Sequence, residues 1–277
     1  MTVYLGIGVF ILAILALIYV YLISPRLSLP ADMELLSCDY AHRGLWNQRI
    51  PENSLSAFEY AARMGVGIEL DIQPTRDGRI VVFHDSDLLR MCGDRRRVRE
   101  LTLKELRELR LKDTNERIPT LSEVLRVVRG RVPLLIEIKG DRPVDAFCRR
   151  TVELLDGYNG AFSVESFSPF ILGWFKKYRP SYARGQLVTH LKAYTDTQSI
   201  LASLLLSNML LNLISRPDFI AISNKSKKIP ASIVCSKAFN TPVFIWTVRS
   251  ENERTQLRRL GYFTIFENFL PKEHIKK

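Results

Sequence analysis

Strand-like and helix-like segments alternate along this chain from about residue 37 almost to its end. Short runs rich in apolar, β-branched and aromatic residues predict nine strands, at 37–41, 67–73, 80–83, 133–138, 161–164, 182–187, 219–222, 243–247 and 263–266. Runs such as 134–136 and 243–245 are continuously apolar, which indicates strands covered by helices on both faces. The alternation predicts a parallel α/β domain.

Helix start signals lie between these strands. Two Thr-x-x-Glu capping boxes begin at Thr102 and Thr120, and Asn53-Ser54 can cap a helix over 55–64. Further helices are predicted over 144–155, 169–177, 197–213 and 251–260. Eight strand–helix units in this length favour a TIM (β/α)8 barrel. An open doubly wound sheet is the alternative, but the first strand lacks the Gly-x-Gly-x-x-Gly turn found in many such sheets.

A strongly apolar segment precedes the alternating region. Residues 3–23 carry no charge, and this length is close to the ~20 residues that cross a hydrocarbon core of ~30 Å. A cleaved signal peptide is the alternative, but no Lys or Arg precedes the run and its apolar stretch is too long. We predict a single-pass transmembrane anchor over 1–24, a juxtamembrane linker over 25–36 and one domain over 37–277. Arg26, Arg43 and Arg49 follow the anchor, so the positive-inside rule favours a cytoplasmic domain.

The charge balance narrows the classes of partner. The chain has 40 Lys+Arg against 29 Asp+Glu, a net charge of +11, which suits a membrane surface or a phosphorylated substrate. No recognition-helix, RNA-binding or zinc-finger pattern accompanies this charge, so nucleic acid is not predicted as a partner. The four cysteines are far apart and form no Cys-x-x-Cys pair, which argues against a disulfide framework or structural zinc.

Polar and charged side chains stand at the ends of several predicted strands, where burial would need a reason. They are His42 and Arg43 after the first strand, Glu69 and Asp71 in the second, His84 after the run paired with it, and Glu137 and Lys139 in the third. Residues two apart on a strand point the same way, and the C-terminal strand ends of a parallel barrel form its active site. We therefore expect these side chains to converge.

Such a cluster predicts a particular chemistry. Neighbouring carboxylates raise each other's pKa unless a cation lies between them, and hard oxygen ligands suit Mg²⁺ or Ca²⁺ rather than zinc. A divalent cation beside Arg43 and Lys139 would attract a phosphate group, and two histidines can act as general acid and base near neutral pH. An isolated Glu-x-Asp or His-Asp pair is commonly an ordinary surface feature. Several at strand ends together predict metal-assisted cleavage of a phosphate ester.

The chain also carries an ordered set of short motifs over about residues 37–270. They are Ala41-His-Arg-Gly44, Pro51-Glu-Asn-Ser54, Gly67-Ile-Glu-Leu-Asp71, Thr75-Arg-Asp-Gly78, Val82-Phe-His-Asp85, Arg117-Ile-Pro-Thr-Leu121, Ile136-Glu-Ile-Lys139, Ser166-Phe-Ser168 and Trp246-Thr-Val248. In this order they resemble the glycerophosphodiester phosphodiesterase family. The resemblance implies a TIM barrel with a small insertion after the second strand, here about 87–117. It also implies metal-dependent hydrolysis of glycerophosphodiesters to glycerol 3-phosphate and an alcohol.

The resemblance implies roles for individual residues as well. The matching positions are His42 and His84 for the general acid–base pair, Glu69, Asp71 and Glu137 for the ligands of one divalent cation, Mg²⁺ or Ca²⁺, and Arg43 and Lys139 for phosphate contacts. Trp246 matches a position at the mouth of the seventh barrel strand, where an indole either packs on the substrate or belongs to the core.

Three further positions carry weaker expectations. Glu52 is either a further metal ligand or a residue that orients one, and Asn53 is interpreted as a helix cap. Where the family usually ends its eighth strand with an Asp-containing run, this chain has 263–268, in which Glu267 offers a carboxylate one methylene longer. Since no departure touches the two histidines or the three carboxylates, we expect an active enzyme.

Two alternative functions stay open. The anchor and the basic run 95–99 suit a lysophospholipase D-like activity on membrane lipids, and without catalysis the domain would be a membrane module that binds phosphodiesters. Pure binding needs no acid–base pair, so His42 and His84 favour an enzyme. The uncharged segment 197–215 is either a barrel helix with its apolar face on the strands or a second contact with the bilayer.

Overall fold

The nine predicted strands are all present, with bounds within three residues of those expected. In the computed structural model, which describes residues 2–28, 30, 33–140, 145–195, 198–227 and 229–275, they are β1 (Tyr40–Ala41), β2 (Gly67–Pro74), β3 (Ile80–Val82), β4 (Leu134–Ile138), β5 (Phe162–Ser166), β6 (Ala183–Val188), β7 (Phe219–Ser223), β8 (Val243–Val248) and β9 (Phe263–Phe266).

Eight of these strands form a closed parallel barrel. Their hydrogen-bonded order is β1-β9-β8-β7-β6-β5-β4-β2, and β1 also pairs with β2, which closes the ring. β3 lies outside the ring and runs antiparallel to β2. The predicted TIM barrel is therefore confirmed and the open-sheet alternative is wrong. Closure leaves no strand edge within the ring unpaired, and it brings all the C-terminal strand ends to one mouth.

Helices surround the barrel, extend from it or lie in the insertion. The described helices are α1 (Thr2–Ile23), α2 (Met33–Leu36), α3 (Leu55–Met64), α4 (Leu89–Cys92), α5 (Leu103–Leu106), α6 (Leu121–Val128), α7 (Asp145–Leu155), α8 (Pro169–Tyr178), α9 (Leu191–Thr195), α10 (Ile200–Ser207), α11 (Asn212–Ser215), α12 (Pro230–Ala238), α13 (Glu251–Arg259) and α14 (Lys272–Ile275), with 3-10 turns at Val98–Glu100 and Asn224–Ser226. Both predicted capping boxes are confirmed, at the starts of α5 and α6.

The prediction of one helix over 197–213 is wrong. Within the described part of that range the chain forms α10 and α11, and Met209 between them has a positive φ of 56°, which an α-helix does not tolerate. The break lets the Asn212 side-chain amide donate to the Ile23 carbonyl (3.0 Å) at the end of α1. Helix α12 was not predicted, although the proline at its first turn is a helix-start signal.

A barrel helix over this segment was expected to pack its apolar face on the strands. In α10 the serine face is buried instead, and several apolar side chains face outward. Ser203 and Ser207 are buried, whereas Ile200, Leu201 and Leu204 are 72%, 68% and 42% exposed. The serines can face inward because their hydroxyls donate to carbonyls of their own helix region, as in the 2.8 Å bond from Ser203 to the Ser199 carbonyl. The aliphatic side chains are left at the surface.

The barrel interior is apolar at the N-terminal end and polar at the other. Tyr40, Phe219 and Phe244 fill it together with Leu36 of α2, whose carbonyl accepts a hydrogen bond from the Tyr40 hydroxyl (2.8 Å). Gly185 makes room for this cluster, because a Cβ at that position would lie 2.0 Å from Cε2 of Phe219. The floor is therefore closed, and any site inside the barrel must open at its C-terminal end.

Helix α1 is apolar and largely exposed along its length, but its C-terminal end is buried against the barrel. Among the described residues, Tyr4–Ile23 is the one helical segment that is long enough and apolar enough to cross a membrane, judged by length and composition alone. Ile23 is fully buried. The Arg216 guanidinium donates to the Tyr21 carbonyl (2.8 Å), and the Arg26 amide donates to the Pro217 carbonyl (2.9 Å). The end of the helix is thus fastened to the segment before β7.

Candidate active site

Four carboxylates lie at the mouth of the barrel on three adjacent strands. The strand register puts Asp71 of β2 beside Glu137 of β4, and Glu137 beside Glu165 of β5, while Glu69 lies two residues before Asp71 on the same face. Oxygen atoms of Glu69, Asp71 and Glu137 all lie within 4.8 Å of one another, and the three residues are buried. The three carboxylates predicted from the sequence therefore converge, and Glu165, which was not predicted, lies beside them.

Two cations partly neutralise this cluster. The Lys139 Nζ lies 2.8 Å from Asp71 Oδ1 and 2.8 Å from Glu137 Oε1. The Arg43 backbone amide donates to Glu69 Oε2 (2.8 Å), and the Arg43 Nε lies 3.6 Å from Asp71 Oδ2. Four carboxylates against two cations leave an excess of negative charge in a buried place, which a divalent cation would offset.

The pKa shifts reflect the same imbalance. Burial raises the pKa of Glu69 well above its usual value, and the neighbouring Asp71 raises it further. Burial also raises the pKa of Glu137, with Lys139 partly opposing it. For Asp71 the effect of burial is outweighed by Lys139, and its pKa is held well below the usual value. The buried carboxylates of β2 and β4 repel one another, and together they are the hard-oxygen donor set that suits Mg²⁺ or Ca²⁺.

The loop after β1 contains three residues with positive φ, Arg43, Gly44 and Asn53. Gly44 has a φ of +83°, and a Cβ there would lie 2.9 Å from the Cβ of Ala57. Asn53 has a φ of 52°, and its amide donates to the Arg43 carbonyl (2.9 Å). Its side-chain nitrogen donates to Asp71 Oδ2 (2.8 Å), and Ser54 is the cap of α3. The interpretation of Asn53 as a helix cap is therefore wrong: it holds a carboxylate of the cluster.

His42 is paired with a carboxylate from the opposite end of the chain. Its Nδ1 lies 2.7 Å from Glu267 Oε2, and Glu267 Oε1 accepts a hydrogen bond from Arg249 Nε (2.7 Å). Burial lowers the pKa of His42, and the hydrogen bond to Glu267 opposes that shift. The longer carboxylate at the end of β9 thus reaches the histidine ring, a contact that the sequence could not establish.

His84 has a carboxylate of its own, in the next residue. The His84 Nδ1 lies 2.6 Å from Asp85 Oδ1, and Asp85 Oδ2 accepts from Arg90 Nε (2.7 Å). Arg90, from α4 in the insertion, also donates to both oxygens of Glu52 (2.9 and 2.7 Å). Glu52 is buried and accepts from Arg43 as well (2.7 Å). These contacts favour the interpretation of Glu52 as an orienting residue over that of a metal ligand.

One cavity collects these groups. It has a volume of about 360 Å³ and is lined by the two histidines, by three of the carboxylates in the cluster and by Trp246, among others. The Trp246 ring stands edge-on to Phe167, with ring centroids 5.8 Å apart. A second cavity of about 830 Å³ shares Glu137, Phe167 and Trp246 with the first. Trp246 therefore lies at the boundary between the two cavities and lines both of them.

A family model described as the glycerophosphoryl diester phosphodiesterase family matches residues 42–271. The chain belongs to this family. Among curated members, glycerophosphodiester phosphodiesterase from Caldanaerobacter subterraneus subsp. tengcongensis is 35% identical over 158 residues, or 53% of this chain and 65% of that protein. Glycerophosphodiester phosphodiesterase 1 of Bos taurus is 35% identical over 144 residues, or 48% of this chain and 43% of that protein. The matched segments therefore span less than two thirds of these curated relatives.

Solved structures of phosphodiesterases share the fold. A phosphodiesterase from Oleispira antarctica, in complex with the product sn-glycerol-3-phosphate, has a TM-score of 0.69 at 24% identity and covers 87% of this chain and 97% of its own. A glycerophosphodiester phosphodiesterase from Parabacteroides distasonis has a TM-score of 0.67 at 22% identity, with 86% and 95% covered. The chain therefore has the same barrel fold as these two solved structures.

All eight residues singled out from the sequence lie at the same end of the barrel. Local sequence patterns did not identify Glu165, Asp85 or Arg90 as site residues, and they indicated only a weak role for Glu267. Glu165 had a signal, because this charged residue directly follows the predicted strand over 161–164. Asp85 had one as well, since it lies next to His84. Arg90 had none, because only the folded insertion brings it to Glu52.

Proposed function

We propose that this chain hydrolyses glycerophosphodiesters to glycerol 3-phosphate and an alcohol, with one divalent cation, Mg²⁺ or Ca²⁺. The observation that carries the proposal is a single cavity in which two histidines, each held by its own carboxylate, face a cluster of buried acidic residues. Family membership supports it. The phosphodiesterase of Oleispira antarctica, which holds sn-glycerol-3-phosphate as its product, supports the choice of substrate.

His42 and His84 would carry the two proton transfers of the reaction. Glu267 and Asp85 hold the Nδ1 atoms of these rings, which leaves Nε2 of each ring to exchange a proton with the substrate. One histidine takes the proton of the attacking hydroxyl, either of water or of the substrate's glycerol, and the other gives a proton to the departing alkoxide. Acid–base transfer at both ends avoids free hydroxide and a free alkoxide.

Glu69, Asp71 and Glu137 would hold the cation, and Arg43 and Lys139 would contact the phosphate. A bound divalent cation acts as a Lewis acid that stabilises negative charge on phosphoryl oxygens. Lys139 Nζ lies 2.8 Å from Asp71 and 2.8 Å from Glu137. Burial lowers the pKa of its ammonium group, but the two carboxylates outweigh burial and raise it. Trp246 would flank the substrate at the boundary of the two cavities.

Helix α1 would serve as a retained single-pass membrane anchor. Its apolar side chains are exposed along the helix, while Ile23 at its end is buried in the main core. Cleavage near residue 24 would remove this buried residue and the carbonyl that accepts from Asn212. The buried, hydrogen-bonded end of α1 therefore favours an anchor over a signal peptide. The cytoplasmic orientation stays a prediction from the basic residues that follow.

Glycerol 3-phosphate release from glycerophosphocholine by the full chain in nanodiscs tests the proposal. We expect release only with added Mg²⁺ or Ca²⁺ after chelation, and a loss of about 10²–10⁴-fold in His42→Ala or His84→Ala. His274→Ala is the matched control, because His274 is bonded to the Met64 carbonyl and does not line the cavity. Full activity without metal, or in His42→Ala, would contradict the mechanism. Substrate binding without turnover would instead favour the binding module.

A further inference from the structure

Four basic side chains meet where the end of α1 joins the barrel. They come from the segment after α1, from α8, from β6 and from the residue after α11, and we call them the junction cluster: Arg26, Lys176, Arg184 and Arg216. Among the residues that the structure describes, the one carboxylate that pairs with any of them is Asp218. It lies 3.4 Å from Arg26 Nη1 and 3.8 Å from Arg184 Nη1. Four cations against one carboxylate leave an excess of positive charge at this junction.

Backbone carbonyls bind the cations of the junction cluster but do not neutralise their charge. The Lys176 Nζ donates to the carbonyl of Ile214 (3.0 Å), two residues before Arg216. The buried Arg184 guanidinium donates to the carbonyl of Arg216 itself (3.2 Å). Burial lowers the pKa of Lys176, and the nearby charges of Arg216 and Arg184 lower it further. The cations therefore repel one another, and a bound anion would relieve that repulsion.

Arg216 is held in place through one of its three guanidinium nitrogens. Its hydrogen bonds to the Tyr21 carbonyl (2.8 Å), the Ser24 carbonyl (3.0 Å) and the Ser24 hydroxyl all use Nη1. Its guanidinium also lies over the Tyr21 ring, with Cζ 4.7 Å from the ring centroid. Within the described ranges, Nε and Nη2 have no hydrogen-bond acceptor. Two such nitrogens on one planar group can bind two oxygens of a phosphate at once.

The position of Arg216 along α1 puts the junction cluster at the level of lipid headgroups. The apolar segment Tyr4–Ile23 has 20 residues, and at about 1.5 Å per residue its length matches a hydrocarbon core of ~30 Å. When this helix crosses a bilayer, the Tyr21 and Ser24 carbonyls that Arg216 binds lie at one edge of the core. Ile23 is buried against the barrel, so the barrel surface around it stays at that edge. The exposed Tyr21 ring is typical of a membrane interface.

We propose that the junction cluster binds the phosphate of an anionic glycerophospholipid in the leaflet where α1 ends. The proposal rests on the membrane anchor proposed above and not on the hydrolysis. Arg216 donates from Nε and Nη2 to two phosphate oxygens, and Lys176, which gives two protons to carbonyls, donates its third to the same phosphate. Arg26 and Arg184 stay bonded to Asp218 and to carbonyls, and they add positive charge behind the phosphate. The bound lipid would fix the orientation of the barrel on the membrane.

Binding of a labelled lipid to the full chain in phosphatidylcholine nanodiscs tests this. Energy transfer from the tryptophans to pyrene-labelled phosphatidylglycerol is measured as its mole fraction rises, with pyrene-labelled phosphatidylcholine as the zwitterionic comparison. All chains carry His42→Ala, so the result does not depend on turnover. We expect saturable binding of phosphatidylglycerol that unlabelled phosphatidylglycerol displaces. Equal binding of the two labelled lipids would overturn the proposal. Displacement by millimolar inorganic phosphate would assign the cluster to a soluble anion and overturn the choice of a lipid.

Two substitutions remove charge from the junction cluster and keep an amide donor for the carbonyls. Lys176→Gln and Arg216→Gln should each raise the half-saturating mole fraction of phosphatidylglycerol about fivefold. Neither residue lines the two cavities described above, so a change does not report binding there. Lys176 makes no bond to α1, so its substitution leaves the fastening of the helix intact even if Arg216→Gln loosens it. Thermal unfolding in pure phosphatidylcholine nanodiscs verifies that the variants fold alike.

Lys237→Gln is the matched control. Lys237 is exposed in the last turn of α12, two residues after Cys235, whose thiol contacts the Ile23 carbonyl at the end of α1. The substitution removes the same single charge from the same side of the barrel but outside the cluster, and it should leave the half-saturating mole fraction unchanged. An equal rise in Lys237→Gln and Lys176→Gln would mean that only the general surface charge attracts the lipid, and it would overturn the proposal. So would unchanged binding in Lys176→Gln.

Discussion

At the residue scale, each histidine in the cavity has one ring nitrogen held by a carboxylate, but the two partners differ in origin. Asp85 is adjacent to His84 in sequence, whereas Glu267 reaches His42 from the opposite end of the domain. Burial lowers the pKa of His42, and the Glu267 carboxylate opposes that shift. Arg249 binds the other oxygen of Glu267 and so competes for its charge.

Replacement Glu267→Gln should lower the pKa of His42 further, because a carboxylate stabilises the imidazolium form and an amide does not. The limb of the pH profile of kcat/KM that reports His42 should therefore move to lower pH. The rate should fall about tenfold or more, as part of the ~10²–10⁴-fold that a general acid or base contributes. Arg249→Gln is the control, since it keeps the carboxylate and removes its competing cation. The same downward shift in both variants, or none in Glu267→Gln, would contradict this account.

At the element scale, the insertion between β3 and α6 is a small folded unit. Its first helix, α4, contributes a side chain that binds residues of the candidate active site. Phe83, Met91, Val98 and Leu106 belong to its own apolar cluster, separate from the barrel core. This cluster fixes α4, and α4 carries Arg90 to Glu52 and Asp85. The insertion therefore supports the loop after β1 and the residue that holds His84.

Arg90→Met keeps the apolar stem of the side chain but removes both ion pairs. Glu52 then keeps only Arg43, and Asp85 is no longer held against His84 from the insertion side. We expect a loss of about 1–2 kcal/mol of stability, from a buried carboxylate with fewer charged partners, together with a lower kcat. Thermal unfolding and initial rates measure the two effects. Arg96→Met, which breaks an exposed pair with Asp94, should change neither, and an equal response in both variants would refute the special role of Arg90.

At the scale of the whole molecule, closure of the barrel decides where chemistry can occur. Aromatic rings fill one end of the interior, with centroids of Phe219 and Phe244 5.1 Å apart, and α2 covers that end. The carboxylates of β2, β4 and β5 lie toward the other end, which is the one that opens into the cavity. Tight packing of the floor requires a residue without a side chain at Gly185.

Gly185→Ala should destabilise the barrel by about 1–3 kcal/mol, because the new Cβ meets the Phe219 ring, which also packs against Phe244. Thermal unfolding of the full chain measures the loss. Gly157→Ala is the matched control, since its nearest neighbour would be the Leu154 carbonyl oxygen at 3.9 Å. Adding Phe219→Leu to Gly185→Ala should recover part of the stability. No recovery would mean that the clash is not the cause.

The sequence by itself determined the nine strands, the barrel class and most of the polar residues at its mouth. Those features depend on local patterns: apolar runs, capping boxes, and residues two apart that share a strand face. Only the tertiary structure decided which distant groups meet, as with His42 and Glu267 or the row from Asp71 to Glu165. It also decided that α10 turns its serines inward and its aliphatic side chains outward. Such contacts follow from strand register and ring closure, which join residues far apart in the chain and leave no trace in local spacing.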